Sequence, residues 1–161
     1  MRVQIAAAAA SMMILAFPWT ADAKNVTSMD PQTMIAALQK AGYKARLDKL
    51  DDGSPTIETS ADGNTVEIAM SDCKNNKSCT TGEFLGIWNC EKTLKECKAA
   101  ADELNKDESP VHFIDDDETK TIIAYQYLMF DEVGISEYLF IYNLEMFSAY
   151  NSDFERKVST K

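Results

Sequence analysis

Read for its pattern of apolar and polar positions, the chain opens on a run unlike anything that follows. Met1-Arg2 gives a short positive start, and residues 3–17 are apolar or small, broken only by Gln4 and Ser11. Pro18-Trp19-Thr20-Ala21-Asp22-Ala23 then ends on the small-x-small pattern that signal peptidases accept. The apolar run is too short to cross a hydrocarbon core of ~30 Å as a helix. Residues 1–23 are therefore expected to be a signal peptide cleaved after Ala23, placing the mature protein in the periplasm or outside the cell. Residues 24–29 read as a linker, residues 30–155 as one domain, and residues 156–161 as a C-terminal tail.

Within that domain the period alternates between helix and strand. Asp30-Pro31 supplies an N-cap and a first-turn proline; Met34, Ile35 and Leu38 share a helical face, and Gly42 ends the helix. A period of two follows in residues 43–47 and 56–59, separated by the turn Asp51-Asp52-Gly53-Ser54-Pro55. Asp62-Gly63 marks a tight hairpin, after which Val66, Ile68 and Met70 line one strand face. A polar loop over residues 71–78 leads to a strand over 83–88. Thr93-Leu94-Lys95-Glu96 is a capping box opening a second helix to about Asn105, stopped by Ser109-Pro110. Residues 111–114 and 121–130 read as strands around an acidic turn. Gly134-Ile135-Ser136 opens a last helix, with Leu139, Asn143, Phe147, Tyr150 and Phe154 expected along one side. The predicted order is α-β-β-β-β-α-β-β-α, an α+β layer fold.

Composition narrows the partners. The chain has 161 residues with 16 Lys and Arg against 26 Asp and Glu, a formal charge of −10. Such an acidic chain repels phosphates, which argues against nucleic acid and anionic lipid. No later apolar run reaches the 18 residues or so of a membrane helix, so no membrane contact is expected after cleavage.

The four cysteines, Cys73, Cys79, Cys90 and Cys97, allow three pairings. In an exported chain they are expected to form disulfides between sequence neighbours. Cys73 and Cys79 flank the polar loop between adjacent strands, where opposite Cα atoms approach bridging distance. Cys90 and Cys97 would lie roughly 10 Å apart if one helix held both. The capping box places Cys90 before the helix and Cys97 in its first full turn, so the chain can fold back. No C-x-x-C occurs for redox or zinc chemistry, and the one histidine, His112, sits in a strand as a structural residue.

Catalytic and nucleotide motifs are absent: no G-x-S-x-G, H-E-x-x-H, phosphate loop or G-x-G-x-x-G. Asp48, Asp51 and Asp52, and the run Asp115-Asp116-Asp117-Glu118, offer carboxylates without the spacing that wraps calcium. Asn25-Val26-Thr27 and Asn76-Lys77-Ser78 match the glycosylation sequon, which matters only in a glycosylating host. No metal, cofactor or catalytic residue is assigned.

In the order and spacing of its motifs the chain resembles the YbjN family of bacterial proteins, also labelled sensory transduction regulators. The resemblance is carried by Ile35-Ala36-Ala37-Leu38-Gln39-Lys40-Ala41-Gly42-Tyr43, by Asp51-Asp52-Gly53-Ser54-Pro55 with Ile57, and by Cys73-Lys74-Asn75-Asn76-Lys77-Ser78-Cys79. Phe84 and Gly86, Ile114-Asp115-Asp116-Asp117 and Gly134-Ile135-Ser136 extend it, so it covers about residues 30–155. It implies a fold similar to type III secretion chaperones, a curved antiparallel sheet flanked by helices that binds other polypeptides without catalysis. Two departures stand out. The long sixth strand, residues 121–130, is apolar on both faces where the family alternates apolar with acidic, and Cys90 and Cys97 form an additional pair.

The expected function is thus an exported, non-catalytic domain binding protein or peptide, with a regulatory or chaperone-like role. The alternatives are a hydrolase or transferase with a site assembled from scattered residues, and an acidic cation-binding module. A half-solvated antiparallel sheet should show polar residues on one face, and two strands here do not. Leu85, Ile87, Ile123, Tyr125, Tyr127 and Met129 are expected to form one patch open to a partner. The competing outcomes are a helix lying over that face and a homodimer built on the same residues.

Overall fold

The computed structural model describes residues 25–75, 78–90, 94–130 and 133–159. The signal-peptide reading, Thr93 of the capping box, and Asn76 and Lys77 of the second sequon fall outside them. In chain order the first half contains β1 (Asn25–Val26), α1 (Pro31–Lys40), β2 (Ala45–Lys49), β3 (Pro55–Ala61), β4 (Asn64–Ser71) and β5 (Thr81–Asn89). The second half contains α2 (Leu94–Leu104), β6 (His112–Asp116), β7 (Thr121–Met129), β8 (Ile135–Ser136) and α3 (Glu137–Ser159).

Local chemistry sets the boundaries. The Asp30 carboxylate accepts a hydrogen bond from the Gln32 amide at 3.1 Å, and Pro31 needs no partner for a missing N–H. At the other end of α1, Gly42 takes φ +93° while the Tyr43 amide reaches back to the Leu38 carbonyl at 2.9 Å. That is a Schellman closure, which needs a residue without a Cβ. Between β3 and β4, Asp62 and Gly63 have φ of +50° and +85°, the two-residue turn whose twist matches the strands it joins.

Six strands form one curved antiparallel sheet in the order β2-β3-β4-β5-β7-β6. All three helices of the described residues pack on the same face. Helix α3 crosses β3, β4, β5 and β7, α1 covers β2 and β3, and α2 lies on β6 and β7 beside α3. Along α3 the buried residues are Phe140, Leu144, Phe147, Ser148, Asn151 and Phe154. The expected stripe through Leu139 and Asn143 is therefore corrected by one position. The apolar arc starts at Phe140, and a step of one residue rotates a helix by ~100°, leaving Leu139 exposed. Phe84 meets Phe140 and Phe147 at centroid distances of 5.8 and 5.6 Å, and Phe154 meets Phe113 at 5.2 Å.

Both ends of the domain lie beyond the expected boundaries. Residues 25–29 belong to the folded domain instead of a linker: Asn25 and Val26 pair with Ser136 and Ile135 in a two-stranded ribbon, and Val26 and Ser28 are buried. The ribbon depends on Gly134, where an added Cβ would stand 2.3 Å from the Val26 carbonyl oxygen. Likewise α3 runs through residue 159, past the expected end of the domain at 155.

Candidate functional site

Because successive strand side chains point to opposite faces, burying one set on the helices exposes the other. In β7, Ile122, Ala124, Gln126 and Leu128 are buried; in β5, Phe84 and Gly86 are. Their neighbours face away from every described helix. The register sets Leu85 opposite Tyr125 and Ile87 opposite Ile123, with Tyr127 and Met129 following along β7. Ile87, Tyr127 and Met129 are 63%, 59% and 74% exposed, and Leu85, Ile123 and Tyr125 are half-buried. Tyr125 and Tyr127 meet edge to face at 5.4 Å. The six expected residues thus lie together on one uncovered face among the described residues.

Two members of this face escaped the sequence reading. Ile114, 49% exposed, pairs with Ile123 and widens the patch onto β6. The period of two already set it beside His112, which packs its ring on Tyr125 at 5.6 Å. Glu83, half-buried in β5, lies between Ala69 and Tyr127 across the ladder. Burial pushes its carboxyl above the ordinary glutamate range, and no described residue gives it a cation or a hydrogen bond. Next to it, Glu67 pairs with Leu85 in register and accepts a hydrogen bond from the Thr56 hydroxyl at 2.9 Å. Farther along, Arg46 is held by Glu58 at 2.7 Å and Asp48 at 3.8 Å. The face is apolar at its centre and acidic along the β4–β5 side.

One sheet edge is closed by a side chain that no pattern disclosed. The Asn105 amide donates to the Phe113 carbonyl at 2.7 Å and accepts from the Phe113 amide at 2.8 Å, imitating a neighbouring strand. That occupies the outer side of β6 near its start, where an edge strand would otherwise leave its groups unpaired.

The remaining candidates have partners of their own. Lys98 of α2 bonds Asp115 at 2.7 Å and Asp117 at 2.8 Å, and holds the Asp115 carboxyl below the usual carboxylate range. Asp116 accepts from the amides of Glu118 and Thr119, and Asp52 from that of Ser54. Among the described residues, no group of three or more His, Cys, Asp or Glu is placed to hold a metal. Cys73 and Cys79 lie with sulfurs 2.07 Å apart, and Cys90 and Cys97 with sulfurs 2.17 Å apart. A cleft of about 650 Å³ separates the start of α1 from β2, lined by Met29, Gln32, Leu47, Lys49, Pro55 and Ser78. No described helix is long and apolar enough to cross a membrane. No protein-family model matches the chain, and no curated protein sequence does.

Proposed function

We propose that this chain is an exported, non-catalytic domain that binds a protein or peptide partner on the open face of its sheet. The observation that carries the reading is the placement of Ile87, Tyr127 and Met129, exposed side by side on β5 and β7 of a sheet whose other face takes all three described helices. An exposed contiguous apolar patch marks an interaction surface more often than a solvated one, and Tyr and Met are favoured at such contacts. The two cysteine pairs suit an oxidising compartment. The motif order resembles that of the YbjN family, and that resemblance would imply a polypeptide-binding role, regulatory or chaperone-like. The acidic run after β6 gives cation binding little support, since Lys98 already pairs with Asp115 and Asp117.

The test is site-specific crosslinking from Tyr127 in cells that export the protein, compared with crosslinking from Glu155 on α3. A discrete adduct from the first position and none from the second is expected, and the adduct should vanish in Tyr125→Ser/Ile123→Ser. Adducts of equal yield from both positions would overturn the assignment of this face.

A further inference from the structure

The open face has a chemical character beyond being apolar, and it restricts what can occupy it. Glu83 stands inside the patch, beside Tyr127 and one row from Leu85 and Tyr125. Its carboxylate is half-desolvated, without a partner among the described residues, and pushed up by burial alone. Keeping a carboxylate in such surroundings costs stability unless a binding event supplies a counter-charge. Glu67 lies on the adjoining strand, where it pairs with Leu85 in register and takes its hydrogen bond from neutral Thr56. The nearest arginine along these rows, Arg46, is already held by Glu58 and Asp48. The chain as a whole carries −10.

A second copy of the chain fits this face poorly, because it would bring the same carboxylates and the same net charge against it. Like charges meeting across an interface oppose association. We propose that the occupant is instead a basic amphipathic polypeptide segment, which sets a lysine or arginine against Glu83 and apolar side chains across Leu85, Tyr125 and Tyr127. The tyrosine rings beside Glu83 add a second attraction for the same cation, since aromatic faces favour ammonium and guanidinium groups. This inference rests on the partner-binding reading of the face and specifies the partner's chemistry.

The experiment uses short synthetic peptides that alternate apolar residues with lysine, serine or glutamate and are otherwise identical. Each is titrated into the isotope-labelled mature protein, and amide shifts are followed at Leu85, Ile87, Tyr125 and Tyr127. The lysine peptide should move these signals and bind about tenfold more tightly than the serine peptide, as a charge-assisted contact predicts. Added salt should erode that advantage. Glu83→Gln should remove most of it. Equal binding of lysine and serine peptides, or indifference to Glu83→Gln, would overturn the basic partner yet leave the binding face standing. Silence of the face toward every peptide would overturn both. Concentration-dependent shifts at the same residues without peptide would show that a second copy fills the face, and would also sink this proposal.

Discussion

Individual positions show how closely the helical layer sits on the sheet. Gly86 faces Asn151, which accepts a hydrogen bond from the Trp88 indole at 3.0 Å and is itself buried. An added Cβ would stand 2.7 Å from the Asn151 side-chain oxygen. Gly86→Ala should therefore lower stability by about 1–3 kcal/mol, as overpacking does, measured by urea unfolding. Glu83 behaves in the opposite sense. Its folded-state pKa is raised above the ordinary 4.5, so its contribution to stability is fully present below that value and is lost as the pH rises. Glu83→Gln should accordingly raise the melting temperature slightly at pH 7 and leave it unchanged in acid. A larger gain in acid than at neutrality would contradict the burial argument. The carboxyls of Asp115 and Asp116 carry the reverse sign, lowered by Lys98 and Thr119 respectively, so their contribution fades as the pH falls.

Among whole elements, the edge of β6 and the start of α2 are the places where one substitution should have a disproportionate effect. Asn105→Leu removes two hydrogen bonds from the Phe113 backbone and bares an edge strand. Unsatisfied backbone groups of this kind cost about 1–3 kcal/mol. Size-exclusion chromatography should then show new self-association, because an open edge recruits other strands. A variant that loses stability but stays monomeric would show that Asn105 only packs. The bridge between Cys90 and Cys97 ties the end of β5 to the first turns of α2. Replacing both with serine should cost about 2–3 kcal/mol for so short a loop, read by thermal unfolding, and should leave peptide binding on the open face intact.

At the level of the whole molecule, the decisive fact is that every described helix lies on one side. The two faces should therefore respond differently to the same kind of mutation. Tyr125→Ser/Tyr127→Ser should cost only about 1 kcal/mol per site, the span of strand propensity, while abolishing partner crosslinking. Phe154→Ala, on the helical side between Trp88 and Phe113, should cost about 3–5 kcal/mol. Comparable losses from the two substitutions would mean that the tyrosine face is interior to some larger packing.

What could be read from the residues alone was whatever local chemistry controls. The caps of α1, the Asp62-Gly63 turn, the alternation of β4, β5 and β7, and the pairing of each cysteine with its sequence neighbour all follow from contacts within a few positions. The alternation even named the apolar residues of the second face, because a period of two assigns each residue a side without knowing what lies there. It could not say whether a helix covers that side, since covering is a matter of how the chain returns. The same holds for the β1–β8 ribbon, whose halves are distant in sequence and meet only because Gly134 lets the Val26 backbone come close. The one-position error along α3 has the same origin. Leu139 and Phe140 are both apolar, and only the sheet beneath selects which of them turns inward.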